Sequence, residues 1–152
     1  MKVALVTGGA TGIGAATVEA LATENIAVAI QYSSSSNEAK ALSDKLKSAG
    51  KKVEIFQSDL TKVGAAESLV SQIKNSLGVI DILINNAGVM SDSSIIEMSD
   101  QLWDEAINLN LTASFKLMRA CAPDMVAKKW GRIINVSSQV ALTGSADHAH
   151  YS

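Results

Sequence analysis

The 152-residue chain is long enough for one domain with its own core, and 47% of its residues are hydrophobic while only 4% are aromatic. The core must therefore be built from aliphatic side chains. With 13 basic and 15 acidic residues the formal net charge is −2, a balance that excludes the concentrated basic face of a nucleic-acid-binding protein.

Short apolar runs alternate along the chain with longer amphipathic stretches, which predicts alternating strands and helices. The predicted strands are residues 3–6, 26–32, 53–56, 80–84 and 133–136. The predicted helices are residues 13 to about 24, residues 37–49, a segment that ends near residue 78, and a long stretch from about 100 to 129. Ser99 is the expected N-cap of the long helix, Pro123 should kink or end it, and a polar loop should follow the last strand. Strands separated by helices predict a doubly wound parallel sheet.

A glycine-rich turn joins the first predicted strand to the first predicted helix. Its glycines are Gly8, Gly12 and Gly14. Without Cβ atoms the backbone can approach a pyrophosphate, and the helix N-terminus offers free amides and the positive end of its dipole. We interpret the turn as a dinucleotide-binding turn, and the alternative is a strand-to-helix turn that holds no ligand.

The end of the second strand bears on the choice of cofactor. An acidic residue there would bind the adenosine ribose diol and repel a 2′-phosphate. The sequence instead reads Gln31-Tyr32-Ser33-Ser34, which supplies hydroxyl groups and no carboxylate. This favours NADP over NAD, with NAD kept as the second candidate.

Asn85-Asn86-Ala87-Gly88 follows the fourth strand, at the crevice where sheets of this kind bind ligands. The small residues would allow close approach to a ribose, and the asparagine side chains could tie strand ends together. The alternative is a purely structural turn.

Ser138 and Tyr151 suit the reduction of a carbonyl group. A tyrosine can donate a proton to the carbonyl oxygen while a hydride reaches the carbon, and a serine hydroxyl can hold that oxygen in place. The alternative is an exposed loop serine and a frayed tyrosine.

The remaining polar candidates are assigned no metal. His148 and His150 lack further ligands at zinc-like spacing, so we expect no metal site and keep both as candidates for a substrate contact. The single cysteine, Cys121, excludes an internal disulfide and suits a reducing compartment. No membrane-spanning segment precedes the first strand, so we expect a cytoplasmic protein without a membrane or nucleic-acid partner.

The whole set of motifs, in order along the chain, resembles the short-chain dehydrogenase/reductase family, and within it the beta-ketoacyl-(acyl carrier protein) reductases. The residues that carry the resemblance are Thr7, Gly8, Gly12, Ile13, Gly14, Asp59, Asn86, Ala87, Gly88, Asn110, Ser138 and Tyr151. The resemblance implies that Tyr151 is the general acid/base, that Ser138 orients the substrate oxygen, and that Asn110 supports a proton-relay water. The cofactor-binding residues expected from it and from the patterns above are Gly8, Thr11, Gly12, Ile13, Gly14, Tyr32, Ser33, Ser34, Asp59, Leu60, Asn86, Ala87 and Gly88.

The resemblance also implies a Rossmann-type α/β fold with strand order 3-2-1-4-5 and an NADP(H)-dependent oxidoreductase acting on a ketone or secondary alcohol. It further implies a small-molecule substrate and a homo-oligomer, a tetramer. The family's motif is Tyr-x3-Lys, and the sequence has no residue at the lysine position, since Ser152 is the last residue. We therefore expect residues 1–152 to be a C-terminally truncated dinucleotide-binding domain that lacks the family's last strands. The alternative is a nucleotide-binding fragment or pseudo-subunit without turnover.

Overall fold

The computed structural model describes residues 1–152, in which a five-stranded sheet carries helices on both faces. The strands are β1 Val3–Val6, β2 Ala27–Tyr32, β3 Val53–Gln57, β4 Ile82–Asn85 and β5 Arg132–Asn135. The helices are α1 Gly12–Thr23, α2 Ser36–Ser48, α3 Ala65–Ser76, α4 Asp100–Ala106, α5 Ser114–Ala127 and α6 Val140–Thr143, with a π-helix over Ile107–Ala113 between α4 and α5. The expected Rossmann-type α/β fold is confirmed.

The strand order is β3-β2-β1-β4-β5 and every neighbouring pair is parallel, as predicted. In the centre of the sheet, Leu5 lies opposite Ala29 of β2 and Leu83 of β4. The chain moves outward through β2 and β3 and then returns to the other side of β1. The carboxyl ends of β1 and β4 therefore border the crevice at which such sheets bind ligands.

Two aliphatic cores lie on opposite faces of the sheet, because successive strand residues point to opposite sides. Leu5 and Leu83 pack in one core with residues of α3 and α5. Val6 and Ile84 pack in the other with residues of α1 and α2. Burial of both faces explains why β1, β2 and β4 appear in the sequence as largely apolar runs rather than alternating ones.

The long predicted helix forms as α4, the π segment and α5 in succession. Its N-cap is confirmed, since the Ser99 hydroxyl oxygen accepts a hydrogen bond from the Leu102 N–H at 3.2 Å. The helix does not end at Pro123 but continues to Ala127. A proline withholds a single N–H donor, and burial of Cys121 and Met125 on either side keeps this turn against the core.

The segment after β5 is not entirely the polar loop that was predicted. It contains the short helix α6, and the Ser138 hydroxyl oxygen accepts a hydrogen bond from the Val140 N–H at 3.2 Å at its start. Strand β5 is exposed along its whole length and pairs only with β4. None of the helices has the length and hydrophobicity needed to span a bilayer.

Candidate active site

The turn after β1 is held by a buried glutamine. Gln31 is 2% exposed, and its side-chain oxygen accepts a hydrogen bond from the Gly8 N–H at 2.9 Å. Its side-chain nitrogen donates to the Ser58 carbonyl at 2.7 Å. Gln31 therefore links the ends of three neighbouring strands.

The glycines of this turn have different structural roles. A Cβ on Gly14 would lie 2.2 Å from the Gly8 carbonyl oxygen, so only glycine fits there. Gly12 has φ +52, and a Cβ on it would meet no protein atom within 4 Å. The Thr11 side chain makes no capping hydrogen bond, and the first turn of α1 carries no acidic residue. A pyrophosphate needs free space beside the backbone and unpaired N–H groups at a helix start, and the start of α1 offers both. The turn therefore fits a dinucleotide.

Asn86 and Thr7 tie the carboxyl ends of β1 and β4 together. The Asn86 side-chain amide donates to the carbonyls of Thr7 and Gly8 at 2.9 and 3.2 Å. The Thr7 hydroxyl accepts from the backbone N–H groups of Asn86 and Ala87, each at 3.0 Å. The side chain of Asn86 therefore shapes the crevice, while Ala87 and Gly88 form its surface.

A first cavity of about 200 Å³, here called the glycine-turn cavity, opens between the glycine turn and the ends of β2 and β3. The predicted cofactor residues that line it are Gly8, Thr11, Tyr32, Ser33, Ser34, Asp59, Leu60, Ala87 and Gly88. Asp59 is the only charged residue in its wall. Hydrogen bonds from the Thr61 hydroxyl and backbone N–H hold the pKa of Asp59 below its ordinary value, and the charge of Lys62 acts in the same direction.

A second cavity of about 600 Å³, the Tyr151 cavity, adjoins the first because Ala87 and Gly88 line both. The structure brings all three predicted catalytic residues into its wall, namely Asn110, Ser138 and Tyr151. The predicted cofactor residues Ile13 and Asn86 line it as well. Gly12 and Gly14 line neither cavity and lie in the first turn of α1.

Ser138 can hold an oxygen atom of a ligand. Its hydroxyl oxygen already accepts a hydrogen bond from the Val140 N–H. A serine hydroxyl has one proton to donate in addition to its lone pairs, so that proton stays available to the cavity. Ser137 lines the same cavity but is exposed.

Asn110 lies in the π segment, and its side-chain amide makes two hydrogen bonds to the backbone of Val89. Its Oδ1 accepts from the Val89 N–H at 2.8 Å, and its Nδ2 donates to the Val89 carbonyl at 2.9 Å. This pair of bonds fixes the segment that follows Gly88. Residues Ile107, Leu111 and Ser114 lie on the same side and line the Tyr151 cavity beside Asn110.

Tyr151 is positioned through His148, by a group of contacts here called the His148 clamp. The His148 carbonyl accepts from the Tyr151 N–H at 2.9 Å, while the His148 ring contacts Asp92 at 2.8 Å and Ser145 at 2.7 Å. Ser93 pairs with His148 in a parallel bridge. The clamp therefore joins the loop after β4 to the loop that carries Tyr151.

His150 differs from His148 in its surroundings. It is 6% exposed, lines the Tyr151 cavity, and neither of its ring nitrogens has a hydrogen-bond partner. No three or more His, Cys, Asp or Glu side chains are grouped so that they could hold a metal ion.

Sequence reasoning missed the roles of Gln31, Val89 and Asp92. Gln31 had a usable signal, since a glutamine inside an apolar strand needs partners for its amide. Val89 acts through its backbone, and Asp92 lies 56 residues from His148 in the chain, so neither had a local signal.

Comparisons with known proteins agree with this geometry. The family model described as short chain dehydrogenase matches residues 2–152. The chain is 33% identical over 150 residues to the 3-oxoacyl-(acyl-carrier-protein) reductase FabG of Staphylococcus epidermidis and 38% identical over 150 residues to FabG of Escherichia coli K12. These matches cover 99% of the chain but 62% and 60% of the two relatives, so the chain spans about three fifths of their length.

A solved structure is similar over the same extent. The blue fluorescent protein from a metagenomic library, crystallised in complex with NADPH, matches with a TM-score of 0.92 at 35% identity. The match covers 99% of this chain and 61% of that one.

Proposed function

Since the chain belongs to the short-chain dehydrogenase family, we propose that it carries the cofactor-binding and catalytic residues of an NADP(H)-dependent oxidoreductase that interconverts a ketone and a secondary alcohol. One observation carries the proposal. Ser138 and Tyr151 line a single cavity that adjoins the glycine-turn cavity through Ala87 and Gly88. A reacting group would thus lie beside a dinucleotide held on the turn.

The protein side of the reaction is a transfer of one proton. The Ser138 hydroxyl donates a hydrogen bond to the substrate oxygen, because its own oxygen is already engaged by the Val140 N–H. The Tyr151 phenol gives its proton to that oxygen in reduction and takes it back in oxidation. The dinucleotide, when bound, supplies or accepts the hydride. Asn110, whose side-chain amide keeps one N–H and one lone pair beyond its bonds to Val89, would support a proton-relay water.

NADP(H) is the proposed cofactor, with NAD(H) as the second candidate. The end of β2 carries no carboxylate, and Tyr32, Ser33 and Ser34 offer hydroxyl donors to a 2′-phosphate. No lysine or arginine lines the glycine-turn cavity. The preference for NADP(H) over NAD(H) would therefore depend on hydrogen bonds from these hydroxyl groups to the 2′-phosphate, without a neighbouring positive charge. The similar solved structure, which contains NADPH, supports the same choice. The ionised Asp59 could accept a hydrogen bond from the adenine amino group, with Leu60 beside it.

We also infer a cytoplasmic, homo-oligomeric protein with a small carbonyl or alcohol substrate, in which residues 1–152 form the dinucleotide-binding domain. The buried, unpaired thiol of Cys121 is compatible with a reducing compartment. Burial raises the pKa of this thiol to about 12, so it stays protonated and is not a candidate nucleophile.

The proposal predicts that Tyr151→Phe removes turnover but not cofactor binding. Steady-state oxidation of NADPH, followed by absorbance with a panel of ketones, should fall by about 10²–10⁴-fold in the variant, because the proton donor is lost. Fluorescence titration should give the same Kd for NADPH in both proteins. Equal turnover in the two proteins would rule out the role of Tyr151, and an absence of NADPH binding would rule out the proposed function.

A further inference from the structure

His150 is buried without any partner for its polar atoms. Both ring nitrogens lack a hydrogen bond, and the residue is 6% exposed. The neighbouring His148 has a partner for each of its ring nitrogens. Buried polar groups in native proteins are nearly always hydrogen-bonded, so the unpaired ring indicates a partner outside the described residues, either an ordered water or a ligand in the cavity.

The unpaired atoms are concentrated on one cavity. Four buried side-chain atoms in the chain lack a partner, and three of them belong to His150 and Asn85, which both line the Tyr151 cavity. The fourth belongs to Ser43, which does not line it. The Asn85 amide nitrogen is bonded to Asn135, and only its acceptor oxygen is left over.

The rest of the cavity wall restricts the chemistry of the missing partner. None of its residues is a lysine, arginine, aspartate or glutamate, so a carboxylate or phosphate group would find no counter-charge. A neutral imidazole has one donor and one acceptor nitrogen, and Asn85 Oδ1 is an acceptor. A hydroxyl group both donates and accepts, so it can pair with the ring nitrogen that faces it whichever tautomer His150 adopts.

We propose that His150 binds a hydroxyl group of the substrate, and that the preferred substrates are neutral ketones carrying a hydroxyl group, together with the corresponding polyols. This inference rests on the proposed function, because His150 directly precedes Tyr151 and lines the same cavity as Ser138. An apolar ketone of equal size would leave the buried ring unpaired and would bind more weakly.

Hydroxyacetone and 2-butanone make a matched pair for the test, since they differ by a hydroxyl in place of a methyl group. Protein with ¹⁵N-labelled histidine contains only two imidazoles, and His148→Gln assigns them. In the Tyr151→Phe variant, which should bind NADPH without turnover, hydroxyacetone added to saturating NADPH should shift the His150 ring resonances, whereas 2-butanone at the same concentration should not. Under turnover, kcat/KM should favour hydroxyacetone by about tenfold or more, mostly through KM, and His150→Phe should abolish this preference.

The outcomes separate the two proposals. If NADPH does not bind, as judged by its fluorescence, the proposed function fails and this inference fails with it. If NADPH binds but shifts the His150 ring by itself, with no further change on adding hydroxyacetone, the partner is the cofactor and the inference is overturned. Equal use of the two ketones, or a preference that survives in His150→Phe, also overturns it while leaving the oxidoreductase proposal intact.

Discussion

At the scale of single residues, Gly12 controls access to the start of α1. Its φ of +52 is strained for any side chain, and the space a Cβ would enter contains no protein atom within 4 Å. Gly50, which follows α2, has φ +73 and equally open surroundings, but it precedes β3 and so lies at the edge of the sheet opposite to the carboxyl ends that border the cavities. A side chain at either position would strain the backbone, but only a side chain at Gly12 would meet a dinucleotide bound at the start of α1.

Gly12→Ala should therefore weaken NADPH binding by about tenfold or more, because the new methyl group enters the space of the pyrophosphate. Gly50→Ala is the matched control, and its Kd should equal that of the parent protein. Both substitutions should lower the stability to urea by a similar amount, about 1 kcal/mol. Equal weakening of NADPH binding in both variants would show that strain, and not contact with the cofactor, causes the loss.

Most of the predicted site residues line the two cavities, but most of their contacts could not be predicted from the sequence. Glycines between a strand and a helix indicate a phosphate-binding turn, because strand, turn and helix are adjacent in the chain. The side chain of Asn110 gave no sign that it would bond to Val89, since that pairing depends on how two loops pack. The burial of His150 is likewise a tertiary property.

At the scale of elements, the His148 clamp connects two loops that the sheet does not order. The Asp92 side chain is 82% exposed and that of His148 is 19% exposed, so their pairing contributes little to global stability. Its effect is local, because the His148 carbonyl also receives the backbone N–H groups of Tyr151 and Ser152.

Asp92→Ala should increase amide hydrogen exchange in residues 91–94 and 145–152 and leave exchange in α1 to α3 unchanged, since only the loop contact is lost. The free energy of unfolding should fall by less than about 1 kcal/mol. Glu19→Ala removes another exposed ion pair, with Lys45 at 2.7 Å, and serves as the control. Unchanged exchange at residues 145–152 in Asp92→Ala would contradict a positioning role for the clamp.

Helices and strands were predicted where local pattern decides them. Strands β1 and β4 are short, mostly apolar runs, and Ser99 caps its helix through a contact three residues away. The π-helix was not predicted, because its apolar spacing differs from that of an α-helix only slightly over seven residues. Helix α6 was missed because its four residues are too few to show a periodicity.

At the scale of the whole molecule, Asp81 joins parts of the fold that are distant in sequence. Its carboxylate accepts from the Val3 N–H at 2.9 Å and contacts Lys128 at 2.8 Å, after the end of α5. Burial alone would raise the pKa of Asp81, but the hydrogen bonds from Lys128 and Val3, with the positive charge of Lys128, outweigh it and hold the pKa below its ordinary value.

A lowered folded-state pKa means that ionised Asp81 stabilises the folded state at neutral pH. Asp81→Asn should lower the free energy of unfolding by about 1–3 kcal/mol at pH 7. The difference should shrink as the pH falls below about 4 toward the folded-state pKa, because the parent then loses the same charge. Urea unfolding of both proteins between pH 7 and pH 3.5 measures this. A difference that is constant over the whole range would argue that shape, not charge, is responsible.

The strand order was predictable because βαβ units with right-handed crossovers leave few arrangements for five parallel strands. The Asp81 network was not, since the sequence does not show which charge a buried carboxylate will meet.

The π-helix also determines how a change of chain length would act. An α-helix turns by about 100° per residue, whereas the wider π-helix accommodates one additional residue without this rotation, so deleting one residue from Ile107–Ala113 would keep the helix before and after it in phase. Forcing the same seven residues into an α-helix would instead rotate everything before them by about 100° relative to α5. Leu117 and Cys121 would remain in the core, whereas Asn110 would turn away from Val89. The additional residue of the π-helix thus sets the direction in which the side chains before it point. One continuous helix can therefore face the site with the residues around Asn110 and the core with the residues of α5.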